Sequence, residues 1–152
     1  MIGVSLVASL VDTNVLIYCF DPRELAKRAA SRELLRRGAA DKIIYVPHQA
    51  LIEFVSVVTR RKAQGVPWLP EEEAIRQAEG FMADFPVLYP NEHVFRTALR
   101  GMATYRLPWF DAHLWAYAEH YGLPEILSED FEHGRMYGTV RIRNPFVGLD
   151  LA

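Results

Sequence analysis

A chain of 152 residues, of which 51% are hydrophobic and 24% charged, is long enough for one globular domain, which we predict over residues 1–152. The formal net charge of −2 at pH 7 excludes a generally cationic nucleic-acid binder. Any surface that contacts phosphate must therefore be a local patch or depend on bound cations.

The first apolar run and the single cysteine bear on the cellular compartment. Residues 1–11 carry neither the basic start nor the cleavage site of a signal peptide, and the run is too short to span a bilayer. Cys19 excludes an internal disulfide and fits a reducing cytosol. Its apolar surroundings, LIYCF, favour a small core residue over a reactive thiol. We therefore expect a cytoplasmic protein with no membrane partner.

Strand-like and helix-like segments alternate along the chain. In the first half we predict a strand at 6–11, a helix at 23–38 that Gly38 ends, a strand at 42–47, a buried helix at 48–63 and a helix that starts at the acids 71–73. In the second half we predict a short strand in PVLYP, a helix at 91–104 with Asn91 as N-cap, a helix at 111–121 that Gly122 ends, and strands at EIL and VRIR. This alternation predicts an α/β domain of three layers, in which helices flank a central, mostly parallel β-sheet.

Two acids directly follow predicted strands. Asp12 ends the apolar run SLVASLV, and Asp130 follows EIL within the acidic segment SEDFE. Each has an ordinary interpretation, because Asp favours turns and helix caps, and acidic loops are common on surfaces. A functional role stays open for both, since parallel sheets bind ligands at the carboxyl ends of their strands, near a topological switch point.

Two further acids lie on predicted helices. Glu53 falls opposite the apolar stripe of LIEFVSVVTRR, so periodicity favours a solvent-exposed face over the lining of a cleft. Asp111 heads the apolar stripe of its helix, where it is an N-cap, a site residue or both. Four acids on four elements suit a hard cation, because Mg²⁺ and Mn²⁺ prefer carboxylate and water oxygens. Such a cation would relieve the repulsion between the carboxylates and attract the phosphate of a nucleic acid.

Four motifs in this order resemble those of PIN-domain ribonucleases, and more specifically of VapC-type toxins from toxin–antitoxin pairs. The motifs are LVDTNVLIYCFD, LIEFVSVVTRR, LPWFDAHLWAYA and ILSEDFEHG with the later IRNPF, and together they cover nearly the whole chain. The resemblance implies a PIN-like fold and two sets of site residues. The ligands of Mg²⁺ or Mn²⁺ would be Asp12, Glu53, Asp111 and Asp130, with Asn14 and Ser128 as hydrogen-bonding support. Family members more often carry Thr at the position of Ser128, a difference that keeps the hydroxyl.

The resemblance also implies an activity and partners. We expect metal-assisted hydrolysis of RNA that leaves a 5′-phosphate and a 3′-hydroxyl, neutralisation by a VapB-like antitoxin, and a homodimer. A housekeeping RNA-processing PIN nuclease and a non-catalytic PIN binding module are the alternatives. The small size favours the toxin over the first, and the intact acidic quartet argues against the second. A haloacid-dehalogenase-like phosphatase is disfavoured because Asn14 stands where its second Asp is needed.

Basic and aromatic residues near the acids have open roles. The helix at 23–38 carries six basic residues against two acids, and it contacts RNA, contacts the antitoxin or is simply solvated. Trp68, Trp109 and Phe110 are candidates for stacking on bases. For Trp109 and Phe110 we favour packing of the loop before Asp111, and for His113 a structural role.

Overall fold

The computed structural model describes residues 7–63 and 65–149. Its strands are β1 (Ser9–Val11), β2 (Ile44–Pro47), β3 (Val87–Leu88), β4 (Glu125–Leu127), β5 (Met136–Tyr137) and β6 (Val140–Arg143). They form one sheet in the order β3-β2-β1-β4-β6-β5. The pairs are parallel except that β5 runs antiparallel to β6.

Helices cover both faces of this sheet. They are α1 (Thr13–Tyr18), α2 (Leu25–Asp41), α3 (His48–Thr59), α4 (Glu71–Asp84), α5 (Glu92–Tyr105) and α6 (Trp109–Tyr121). The predicted three-layer α/β arrangement is therefore confirmed. No helix within the described residues combines the length and the hydropathy that crossing a membrane requires.

The central strand β1 separates two hydrophobic cores. Leu10 packs in one core with residues of α5 and α6, whereas Val11 packs in the other with residues of α1, α2, α3 and α4. Successive side chains of a strand point to opposite faces of a sheet, and both of these residues are completely buried. The alternation of a single strand thus fixes which helices lie on which face.

The order of the strands reverses at β1. The chain continues from β1 to β2 and β3 on one side and then crosses to β4 and β6 on the other. In the parallel pairing of β1 with β4, Val11 lies opposite Leu127, so the two strands end level with each other. Residues that follow these strands therefore meet at the switch point, which is where open α/β sheets bind ligands.

Several predicted boundaries are corrected by the structure. The predicted helix stop at Gly38 is wrong, because α2 continues to Asp41. Its C-cap is Lys42, whose backbone has a left-handed conformation. A Cβ atom at Gly38 would lie 2.0 Å from Cδ1 of Ile44, so this glycine allows α2 to pack closely on β2. Helix α3 ends at Thr59 rather than at residue 63, and α6 begins two residues before Asp111.

Two short elements, α1 and β5, were not predicted. The chain enters α1 directly after β1, because Asp12 is the N-cap of α1 and accepts a hydrogen bond from the backbone of Thr13. The strand predicted at 6–11 spans only Ser9–Val11, and residue 6 lies outside the described residues. The predicted helix ends at Asn91 and Gly122 are confirmed as the N-cap of α5 and the C-cap of α6.

Candidate active site

The carboxyl ends of β1 and β4 hold two of the predicted acids. Asp12 is the first residue after β1 and is only 8% exposed, whereas Asp130 lies three residues after β4 and is exposed. One oxygen of Asp12 accepts from the backbone of Thr13 at 2.6 Å, and the other accepts from the hydroxyl of Ser128 at 2.6 Å. The Asp12 carboxylate is therefore held by neutral donors from both strand ends.

Asn14 and Ser128 connect Asp12 to Asp130. The Asn14 amide nitrogen lies 3.1 Å from Oδ2 of Asp130 and 3.4 Å from Oδ2 of Asp12. Ser128 is completely buried, and its hydroxyl oxygen also accepts from the backbone of Asp130 at 3.0 Å. Asn14 and Ser128 therefore both form hydrogen bonds with the strand-end acids, which is compatible with the supporting role that the resemblance implies.

Glu53 lies on α3, on the side that faces the start of α1. Its Oε2 accepts from the hydroxyl of Thr13 at 2.8 Å, and its Oε1 accepts from the amide of Gln49 at 3.0 Å. Glu53 is half-buried, not solvated as periodicity favoured. The polar face of α3 thus lines the acidic site while its apolar face packs in the core.

Asp111 reaches the same site from α6. It is the third residue of this helix, so its interpretation as the N-cap is wrong, and Pro108 occupies the cap position. Asp111 is half-buried, and the first turn of a helix stabilises negative charge there through the helix dipole.

The four acids influence one another electrostatically. Burial raises the pKa of Asp12 to about 7, and the charges of Asp130 and Glu53 add to the rise, while bonds from Ser128 and from the Thr13 backbone oppose it. Burial also raises the pKa of Asp111, and the same two carboxylates contribute. Asp12 and Asp111 therefore each lie within the electrostatic influence of Asp130 and Glu53.

These residues fit a hard divalent cation by their chemistry. The available atoms are carboxylate and amide oxygens, which Mg²⁺ and Mn²⁺ prefer. The Asn14 carbonyl oxygen is buried and has no hydrogen-bond partner among the described residues. Across residues 7–63 and 65–149, however, no group of three or more His, Cys, Asp or Glu side chains is arranged so that it could hold a metal ion. Asn14 and Ser128 lie between the strand-end acids, and Thr13 bonds Glu53.

Part of the basic helix α2 contacts the loop that carries Asp130. The Lys27 ammonium lies 3.0 Å from Glu129, and Tyr18 donates a hydrogen bond to the same carboxylate. Arg23 is paired with the buried Asp21 at 2.9 Å, and Arg36 with Glu33 at 2.7 Å. Several of the basic residues in the predicted patch are thus engaged within the protein.

A cleft of about 500 Å³ opens beside Glu53. Its lining residues come from α3, from α6 and from the segment before α5: His48, Gln49, Ile52, Glu53, Pro90, Trp109, Phe110, His113 and Tyr117. His113 Nδ1 lies 2.6 Å from the Gln49 side-chain oxygen, and burial lowers the pKa of His113. Another cavity, of about 520 Å³ between α2 and α4, contains none of the four acids.

The aromatic residues at this cleft differ in their packing. Trp109 is half-buried and packs edge-on against Phe95, as the sequence favoured. Phe110 is 68% exposed, so the expectation that it packs the loop is wrong. Burial raises the pKa of Tyr117 to about 12, nearby Tyr121 adds to the rise, and the Gln49 backbone opposes it.

Sequence reasoning missed Gln49, Thr13 and Tyr117 as site residues. Gln49 precedes Glu53 by one helical turn, which is the spacing at which an amide can bond a carboxylate on the same face. That spacing was the available signal for Gln49. No comparable signal existed for Thr13, whose contact depends on how α1 packs against α3.

The fold and the acidic site can now be compared with known proteins. The sequence profile of the PIN domain family matches residues 9–138. The chain therefore belongs to the PIN domain family. A comparison with curated protein sequences gave no match.

Solved structures from toxin–antitoxin systems share this fold. A toxin–antitoxin complex from Klebsiella pneumoniae is 15% identical with a TM-score of 0.66, over 91% of this chain and 98% of the other. DNA-bound VapBC from Salmonella typhimurium is 16% identical with a TM-score of 0.67, again over 91% and 98%. VapC20 from Mycobacterium tuberculosis, a sarcin-ricin loop cleaving toxin, is 14% identical with a TM-score of 0.60, over 81% and 90%. At these identities the similarity shows the fold alone.

Proposed function

We propose that this PIN-domain protein is a Mg²⁺- or Mn²⁺-dependent endoribonuclease of the VapC type that acts in the cytoplasm. The observation that carries the proposal is the convergence of Asp12, Glu53, Asp111 and Asp130 from four elements on the switch point of the sheet. Membership of the PIN domain family supports nuclease activity, and the similarity to VapBC structures supports the toxin class.

In this proposal the four carboxylates would hold the cation next to the scissile phosphate. A bound divalent cation would lower the pKa of water and stabilise the negative charge that builds up on the phosphate during hydrolysis. Ser128 and the Thr13 backbone orient the Asp12 carboxylate, and their hydrogen bonds favour its ionised form. Asn14 keeps Asp130 next to Asp12.

The partners follow from the same class. We propose a VapB-like antitoxin as the inhibitor, because the similar structures from Klebsiella and Salmonella are toxin–antitoxin and VapBC complexes. We also propose a homodimer. Helix α5 supports this idea, because its large apolar residues Phe95, Leu99 and Met102 are each more than 40% exposed.

The proposed activity can be tested on a panel of structured RNAs that includes a sarcin–ricin loop fragment. We expect cleavage with Mg²⁺ or Mn²⁺, none with EDTA, and a loss of about 100-fold or more for Asp12→Asn. Glu132→Gln is the matched control, because Glu132 is an exposed acid two residues from Asp130 and forms only a surface pair with Arg135. It should cleave like the wild type.

Two results would contradict the proposal. Cleavage that survives Asp12→Asn would show that the activity belongs to another site or to a contaminant. Absence of cleavage across the panel, with isothermal titration showing no Mn²⁺ binding by the wild type, would favour a non-catalytic PIN module. Mn²⁺ binding that Asp12→Asn weakens and Glu132→Gln leaves unchanged would support the metal site independently of activity.

A further inference from the structure

We propose that the cleft beside Glu53 binds a nucleobase of the RNA, unstacked from its neighbours and next to the phosphate that lies at the acidic site. This inference rests on the proposed ribonuclease function and extends it to the recognition of the substrate. The occupant that we propose for the cleft is a single planar base.

The position of the cleft supports this occupant. Glu53 belongs both to the acidic quartet and to the cleft lining, so the two sites share a wall. An RNA strand whose phosphate lies at the acids can therefore place an adjacent nucleotide in the cleft. Binding of one base would also fix the register of the strand relative to the acids.

The lining favours a base over a phosphate or a charged peptide. The lining residues of the cleft include Trp109, Phe110, His48 and the completely buried Tyr117, and no lysine or arginine is among them. Phosphate recognition uses basic side chains, whereas bases of single-stranded RNA stack on aromatic rings. Phe110 is 68% exposed at the edge of the cleft and is therefore available as a stacking surface.

Two polar groups in the cleft have unused hydrogen-bonding capacity. The Tyr117 hydroxyl is buried and has no hydrogen-bond partner among the described residues, although the Gln49 backbone lies nearby. His113 Nδ1 faces the Gln49 carbonyl oxygen, which only accepts, so Nδ1 carries the proton and Nε2 is left as an acceptor. A hydroxyl and a ring acceptor among aromatic walls are suited to the polar edge of a base.

The test measures binding and does not require cleavage. The probes are fluorescein-labelled RNA 10-mers of A, C or U and a 10-mer in which the central nucleotides carry no base. They are added to wild-type protein in EDTA, and binding is followed by fluorescence anisotropy. We expect the base-bearing strands to bind more tightly than the abasic strand, and Phe110→Ala to remove about 5- to 100-fold of that advantage.

Two further variants sharpen the test. Met82→Ala removes a comparably exposed apolar side chain from α4, outside the cleft, and should bind like the wild type. Tyr117→Phe removes one hydroxyl for which the described residues offer no hydrogen-bond partner, so we expect an unchanged or higher melting temperature together with about 2- to 10-fold weaker binding. A purely structural role of Tyr117 would instead lower the melting temperature and leave the affinity of the folded protein unchanged.

The outcomes separate this inference from the proposed function. Equal binding of base-bearing and abasic strands, or wild-type binding by Phe110→Ala, overturns the base site even where RNA is cleaved. Conversion of a wild-type dimer to a monomer by Phe110→Ala, measured by light scattering, also overturns it, because the cleft is then a protein interface. Base-dependent binding without any metal-dependent cleavage keeps the base site and contradicts the nuclease.

Discussion

Glu125 and Asp12 lie at opposite ends of two paired strands, and both are almost completely buried, at 4% and 8% exposed. Glu125, at the start of β4, accepts from the Arg143 guanidinium at 3.0 Å and from the hydroxyl of Ser9 at 3.0 Å. Asp12, just past the end of β1, is bonded by a backbone amide, a hydroxyl and a side-chain amide. One buried charge is paired with a cation of the protein, and the other has only neutral donors.

This difference distinguishes an acid whose charge is compensated within the protein from an acid whose charge is not. Buried charges are normally paired, because removing an ion from water costs several kcal/mol. At Asp12 the neighbouring charges are the carboxylates of Asp130 and Glu53, which make ionisation harder still. Arg143 provides the positive charge that compensates the Glu125 carboxylate. A bound divalent cation would provide the corresponding positive charge for Asp12.

The largest expected effect is on the metal-free protein as the pH changes. Asp12 has an ordinary pKa of 3.8 that burial in the folded state raises to about 7. Between these values the folded state keeps a proton that the unfolded state has lost, so the free energy of unfolding falls as pH rises through this window. At about 1.4 kcal/mol per pKa unit, the loss amounts to up to about 4 kcal/mol.

Urea unfolding in EDTA between pH 4 and pH 8 measures this loss. The raised pKa of Asp111 has the same sign and adds to it. Asp12→Asn should show a clearly shallower pH dependence and be more stable than the wild type at pH 8. Added Mg²⁺ should recover stability for the wild type and much less for the variant. Equal slopes for the two proteins would mean that Asp12 is not the buried, uncompensated charge.

A smaller effect is expected at the opposite end of the strands. Glu125→Gln leaves Arg143 without its anion and should lower the free energy of unfolding by about 3 kcal/mol. Cleavage per folded molecule should stay at the wild-type level, because the side-chain contacts of this pair within the described residues include none of the four acids. Combining Glu125→Gln with Arg143→Met should recover part of the stability. A loss of activity without a loss of stability would show that Glu125 contributes to cleavage. Glu125 and Asp12 would then no longer differ in role.

Much of the fold could be predicted because its signals are local. Apolar runs alternate with amphipathic segments, and this alternation indicates a parallel sheet covered by helices. The short elements could not be predicted. Helix α1 contains TNVLIY, whose apolar residues continue the run of β1, and β5 has two residues that pair only because β6 is beside them.

The site could be predicted in part for a similar reason. The place of Asp12 and Asp130 follows from the rule that parallel strands end at a common edge, and the pairing of β1 with β4 brings them together. Glu53 could not be placed by periodicity. A helical wheel shows that Glu53 is opposite the apolar stripe, but only the tertiary structure shows that α1 covers that side. The exposure of Phe110 depends in the same way on where α6 begins.

Removal of the Ser128 hydroxyl tests how strongly this hydrogen bond lowers the pKa of Asp12 and so favours its ionised form. The hydrogen bond from Ser128 lowers the pKa of Asp12 against the effect of burial, so Ser128→Ala should raise that pKa further. We expect cleavage to fall by about 10- to 100-fold, and the acidic limb of its pH profile to move to higher pH.

Ser128→Thr is the control for this change, because it keeps the hydroxyl and should retain the wild-type pH profile. Ser128 is completely buried, so the extra methyl group of Thr is expected to cost some stability. The profiles of kcat/KM against pH are therefore compared with thermal unfolding of the same samples. An unshifted acidic limb for Ser128→Ala would show that the hydroxyl does not tune Asp12.

The smallest expected effect is on the Mg²⁺ requirement, through the position of Glu53 on α3. Asp12 and Asp130 are fixed by the pairing of β1 with β4, whereas Glu53 depends on one hydroxyl from Thr13 and one amide from Gln49. Thr13→Val keeps the shape of the side chain and removes that hydroxyl, so cleavage should need about 2- to 10-fold more Mg²⁺ for half-maximal rate. Thr59→Val is the matched control, because the Thr59 hydroxyl bonds only the Val55 carbonyl at the far end of α3. Equal Mg²⁺ requirements for the two variants would mean that packing of α3 alone positions Glu53. A higher requirement for Thr13→Val alone would mean that the helix-borne acids, like the strand-end acids, are positioned through the residues that follow β1.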